Sequence, residues 1–178
     1  MIKKILFISI LTLSFSIAGK AQNTQTLPEK YQQMMGGLIK NIPNTNTAPN
    51  PMLEFAKTLL GTPYRYASKN PNIGFDCSGF VAYVYEKFGY KSPRSSVEFA
   101  NKGKTIKLAD AKVGDVLVFT GSNSKIRKPG HVGIIYSKEE NGTIKFIHSS
   151  SGKAKGVTIN NLEGYYKNRF LKAVTMQE

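Results

Sequence analysis

Gly74-Phe75-Asp76-Cys77-Ser78-Gly79-Phe80-Val81-Ala82-Tyr83-Val84-Tyr85-Glu86-Lys87-Phe88-Gly89 is the stretch from which the rest of the chain is read. Phe80, Val81, Val84, Tyr85 and Phe88 recur at helical spacing, which predicts a buried amphipathic helix. Asp76 stands at the N-cap position and Gly89 where a left-handed C-terminal cap belongs. Cys77 therefore opens the helix, where unpaired backbone N–H groups and the positive end of the helix dipole favour a thiolate. It is the only cysteine of the 178 residues, so no intramolecular disulfide claims it. A free cysteine is commonly a small buried core residue. Here the polar neighbours Asp76 and Ser78, the helix-opening position and two histidines downstream favour a nucleophile.

Upstream, Met1-Ile2-Lys3-Lys4 followed by an apolar run from Ile5 to Ile17 and small residues at Gly19 and Ala21 has the layout of a secretory signal peptide over residues 1–21. No cysteine sits at that cleavage site, and no later stretch is long and apolar enough to span a membrane. An exported chain without a lipid anchor, periplasmic or secreted, is expected. Residues 22–49 are rich in Asn, Thr, Gln and Pro and read as a polar segment and linker. Asn50-Pro51 then has the form of a helix start. The globular domain is expected over residues 50–178, long enough for its own core.

Without Lys3, Lys4 and Lys20, 22 basic residues stand against 11 acidic ones, a formal charge of +11. The lysines are scattered rather than clustered, and no nucleic-acid-binding motif accompanies them. Most of the excess is a solvated basic surface, with a general attraction to an anionic envelope. Nucleic acid is not expected as a partner, and the chain is expected to act as a monomer.

Downstream of the cysteine helix, Ser95 and Glu98 form a candidate capping box for a short helix ending near Gly103. The pattern then turns to strand: Val116-Leu117-Val118-Phe119, His131 to Tyr136, Thr143 to Ser149, Val157-Thr158-Ile159, and Phe170 to Thr175. Helices first and strands second predict an α+β domain, with N-terminal helices packed on a C-terminal antiparallel sheet.

His131 opens one strand and His148 lies near the end of the next. With the hairpin centred between Glu139 and Glu140, the two rings face each other on one side of the sheet. With a tight turn at Asn141-Gly142, His148 pairs with Ile135 and the rings lie about 13 Å apart along the strands. The first register allows Cys77 to be nucleophile, His131 base and His148 orienter, as in a cysteine hydrolase. The backbone N–H of Cys77 and the Tyr64 hydroxyl are the candidate oxyanion donors. One cysteine and two histidines also match a catalytic zinc site, but neither short ligand spacing nor a supporting carboxylate set is present. No metal or other cofactor is expected.

Taken together, GTPYRYAS, GFDCSGFVAYVYEKFGYKSPRSS, VGDVLVF, HVGIIY and FIHSSS strongly resemble the NlpC-type family of bacterial cell-wall cysteine peptidases over about Met52 to Val174. The resemblance implies a papain-like α+β fold and hydrolysis of peptidoglycan stem peptides, usually between D-γ-glutamyl and diaminopimelate or lysine. It assigns Cys77 as nucleophile, His131 as base and His148 as third polar residue. It puts Tyr64 beside the cysteine and makes Asp76, Ser78, Arg94 and Ser95 substrate-cleft residues, Arg94 being equally readable as a structural ion-pair partner. Ala67-Ser68 departs from the family's common Gly-Gly, so that edge of the cleft is expected to be shaped differently.

Two alternatives stand beside the endopeptidase. An N-acetylmuramoyl-L-alanine amidase would cut between sugar and peptide, but its third residue is usually Asn, Asp or Glu rather than histidine. A catalytically silent wall-binding domain would have no use for the thiol and the two imidazoles. The partner in every case is peptidoglycan or a soluble muropeptide.

Overall fold

The computed structural model describes residues 50–176. The signal peptide expected over 1–21 and the polar segment expected over 22–49 lie outside the described residues.

Helix α1 (Pro51–Thr58) begins as its sequence dictates: the Asn50 side chain accepts the Met52 N–H at 3.0 Å, and Pro51 occupies the first turn, where no N–H is needed. Beyond it the chain folds back through β1 (Lys69–Asn70) and β2 (Gly74–Phe75), a two-strand pairing in a region that reads only as turn. Helix α2 (Cys77–Lys87) follows, then α3 (Ser96–Lys102), whose Ser95–Glu98 capping box is complete. The remaining elements are β3 (Lys104–Ile106), β4 (Val116–Thr120), β5 (Pro129–Lys138), β6 (Ile144–Ser150), β7 (Gly156–Asn161), α4 (Gly164–Arg169) and β8 (Phe170–Thr175). Six strands form one antiparallel sheet in the order β3-β8-β4-β5-β6-β7. The α+β class is as expected. β3 and α4 were not foreseen, because three residues show no alternation and α4 has no side-chain cap at Glu163.

Both faces of the sheet are covered, which is why β4 is buried along its whole length instead of alternating. Val116, Val118, Val132, Ile134 and Ile147 face the core shared with α1, α2 and α3, where Phe75, Phe80, Tyr85 and Phe99 are fully buried. Leu117, Phe119, Ile135 and Phe146 face a second core closed by Leu108, Leu162, Tyr166 and Phe170. The chain just before α2 is tied to β6: the Ser149 hydroxyl donates to the carbonyl of Phe75 in β2 at 2.8 Å.

The β5–β6 register decides where the histidines go, and neither expected register is found. Near the hairpin, Lys138 pairs with Ile144 and Ser137 with Lys145; beyond Tyr136, Ile135 pairs with Phe146 and Ile134 with Ile147. Tyr136 is thus the extra residue of a β-bulge. Had the hairpin register continued, His148 would stand opposite Ile134 and on the other face from His131, since paired residues share a face and neighbours alternate. The bulge moves His148 opposite Gly133, on the same face as His131. The rings then meet diagonally, across a residue that has no side chain. A Cβ at Gly133 would fall 2.7 Å from Phe146 and 3.0 Å from the His148 Cβ.

Candidate active site

Cys77 is the first residue of α2 and partly exposed. The Asp76 side chain caps the helix by accepting the Gly79 N–H, and the Asp76 N–H donates to the Ser68 carbonyl at 2.9 Å. Gly79 is packed so tightly that a Cβ would lie 2.1 Å from that same carbonyl. The preceding residue, Ala67, takes a left-handed φ of +59°, the conformation that a glycine adopts without steric cost. The helix tip is therefore wedged against this turn at backbone distance.

Arg94 grips the same cap. Its Nη2 donates to Asp76 Oδ2 at 2.8 Å and its Nη1 to Asp76 Oδ1 at 3.1 Å and to the Ser78 hydroxyl at 3.2 Å. Ser95 caps α3, with its Oγ accepting the Glu98 N–H at 3.2 Å. Asp76, Ser78 and Arg94 thus brace the α2 tip while Ser95 caps α3, and none of the four is among the residues that line the cavity in front of the thiol. Tyr64 does line it, beside Cys77.

That cavity, of about 880 Å³, is bordered by Cys77, His131, Tyr64 and Asn160 and by residues of the 150–154 turn and of α4. The thiol sulfur takes the backbone N–H groups of Val132 and Ser78, and Val132 follows His131 directly. His131 Nε2 lies 2.8 Å from His148 Nδ1, and His148 Nε2 lies 2.9 Å from Asn160 Oδ1. An amide oxygen can only accept, so His148 donates from Nε2 and its Nδ1 is a lone pair. His131 then donates from Nε2, and its Nδ1 is left as the basic atom. Asn160 carries no local signal in the sequence. It lies one residue beyond the apolar run Val157-Thr158-Ile159, and only the β6–β7 register brings it to His148.

Charge at this site is suppressed. Burial against Phe146 and Tyr166 pushes His148 down to about 4, against the pull of its bond to Asn160, and the nearby Arg169 charge adds to the fall. Burial also holds His131 well below the usual histidine range, reinforced by the charges of His148 and Arg169. Burial pushes the Cys77 thiol up as well, outweighing the N–H groups of Val132 and Ser78, and the Asp76 charge adds to the rise. The helix tip was expected to favour a thiolate; desolvation wins instead, and the resting pair is a neutral thiol and a neutral imidazole. The Tyr64 hydroxyl is pushed up by burial and then by the charges of Cys77 and Asp76, so it stays a donor. Among the described residues no group of three His, Cys, Asp or Glu side chains is placed to hold a metal ion.

The NlpC/P60 family model matches residues 61–175, most of the chain and all of this site. The chain belongs to the NlpC/P60 family. A probable endopeptidase NlpC homolog of Haemophilus influenzae is 31% identical over 186 aligned residues, covering 93% of each chain. The probable peptidoglycan endopeptidase LytE of Bacillus subtilis is 31% identical over 154 residues, 86% of this chain but 42% of LytE. Among solved structures, a family protein from Bacillus cereus superposes with a TM-score of 0.61 at 25% identity, over 70% of this chain and 39% of that one. The papain-like α+β fold of the family is the fold described above.

Proposed function

We propose that the chain is a cysteine endopeptidase of the bacterial cell wall. It hydrolyses peptidoglycan stem peptides at the bond between D-γ-glutamyl and diaminopimelate or lysine, and it acts outside the cytoplasm after export. The observation that carries this reading is the relay Asn160–His148–His131, which leaves one basic imidazole nitrogen on the cavity that the thiol also borders. The endopeptidase names of its relatives support the same reaction class.

In this mechanism His131 Nδ1 takes the thiol proton as the sulfur attacks the scissile carbonyl. The imidazolium that forms is shared with His148, which Asn160 holds in place. The backbone N–H of Cys77 and the Tyr64 hydroxyl receive the oxyanion. His131 returns the proton to the leaving amine as the C–N bond breaks, and water then hydrolyses the thioester with His131 again as base. Asp76, Ser78 and Arg94 fix the tip of the helix that carries the nucleophile.

The test is digestion of purified sacculi and defined stem peptides, with products read by mass spectrometry. Wild-type protein should release fragments cut after the D-glutamyl residue, whereas Cys77→Ala and His131→Ala should release none. Glycan strands stripped of whole peptides would show an amidase instead. Absence of any product from wild-type protein, with the peptides still bound, would show a binding domain.

A further inference from the structure

Arg169 ends α4 and is only 7% exposed, yet it borders the active-site cavity. Its Nε donates to the Gly121 carbonyl at 2.9 Å, its Nη2 to the Thr120 carbonyl at 2.8 Å and its Nη1 to the Tyr165 hydroxyl at 2.7 Å. The guanidinium also lies 4.7 Å from the centre of the Tyr165 ring. All of these partners are neutral. The ion pairs among the described residues belong to Lys69, Arg94, Lys102 and Lys145, and none reaches Arg169.

A buried cation without a counter-ion is costly, and each terminal nitrogen of the guanidinium carries a second N–H. The cavity it borders holds another cation, the exposed Lys153, and hydroxyls from Ser122 and Ser151. Among the described residues no carboxylate side chain lines it. Such a wall lacks one thing, an anion, and none of the described residues that line it supplies one.

We propose that Arg169, assisted by Lys153, forms a carboxylate subsite that seats a free carboxylate of an acidic peptide in the cavity shared with Cys77 and His131. This rests on the peptidase reading above and names what the substrate must carry. The arrangement has a second effect. The Arg169 charge disfavours the imidazolium at both histidines, so a carboxylate seated on it makes His131 a stronger base when substrate is in place.

The experiment is calorimetric titration of the Cys77→Ala protein with L-alanyl-γ-D-glutamyl-L-lysyl-D-alanine. Two further peptides replace its D-glutamyl α-carboxylate or its C-terminal carboxylate with a carboxamide. One of the two amides should bind about 10- to 100-fold more weakly than the parent, the usual loss for a charge-assisted hydrogen bond. That gap should close in Cys77→Ala/Arg169→Gln and shrink in Cys77→Ala/Lys153→Met, an exposed change that keeps Arg169 intact. Equal binding of all three peptides to Cys77→Ala, no binding of any, or a gap that survives Arg169→Gln overturns the subsite. Should Arg169→Gln fail to fold, the peptide series and Lys153→Met still decide it. Cleavage of the parent peptide by wild-type protein reads the peptidase assignment separately. Carboxylate-dependent binding without cleavage keeps the subsite and removes the hydrolase; cleavage indifferent to amidation does the reverse.

Discussion

Cys77 sits where two effects compete, and the sign of the outcome has kinetic consequences. Desolvation pushes the thiol up while backbone N–H groups, that of Val132 on β5 foremost and those of the helix tip after it, pull it down, with desolvation prevailing. Alkylation of the free protein by iodoacetamide should therefore rise only as pH approaches and passes the ordinary thiol value of 9.0. A reactive plateau between pH 5 and 7 would indicate a preformed thiolate–imidazolium pair and contradict this. His131 must be neutral to act as base, and its value is held below the usual 6.5. The acid limb of kcat/KM should accordingly fall below pH 6.5. Asn160 acts one ring further back. Asn160→Ala leaves a buried N–H on His148 without its acceptor, at a cost of about 1–3 kcal/mol, and kcat should drop about 5- to 100-fold. Asn160→Asp keeps the acceptor and adds a charge that favours the cation, so it should restore much of the rate and move the acid limb to higher pH. A packing role alone predicts no such movement.

At the level of elements, the β5–β6 pair brings the two histidines together because one extra residue shifts the strand register. The space above Gly133 is where the two rings meet. Gly133→Ala should displace His148 or Phe146, cost about 1–3 kcal/mol by overpacking, and lower kcat by more than KM changes. Urea denaturation and steady-state kinetics on the same variant check both parts. Local signals made other elements legible in advance. Asn50-Pro51, Asp76 before Cys77, and Ser95 with Glu98 each satisfy backbone donors within three residues, so the sequence alone reveals them. Nothing in Ile134-Ile135-Tyr136-Ser137 marks which residue bulges, because that depends on how the hairpin closes. The hairpin closes through Glu139 and Thr143, whose N–H and carbonyl meet at 2.8 Å, a longer connection than a tight Asn-Gly turn. The same reason hid Asn160: its neighbour His148 is set by strand register, not by spacing along the chain. Desolvation of the thiol was equally out of reach, since it belongs to the assembled core.

The whole molecule answers to pH through the same two rings. His148 titrates at about 4 in the folded protein against 6.5 when unfolded, and His131 is shifted in the same direction. Between those values the unfolded chain binds protons that the folded chain refuses, so stability is full above pH 6.5 and is lost as pH falls toward 4. His148 alone accounts for a loss on the order of 3 kcal/mol across that window. Thermal unfolding should show a clear fall in Tm from pH 7 to pH 4.5, and His148→Gln should flatten that fall. An unchanged slope in His148→Gln would assign the acid sensitivity elsewhere.

The thiol and the three relay side chains come from positions 77, 131, 148 and 160, on one helix and three separate strands. A ribosome finishes the thiol first and the amide that anchors everything last. On the proposed mechanism, a nascent polypeptide consequently holds a sulfur whose base stays unanchored until the final strands dock.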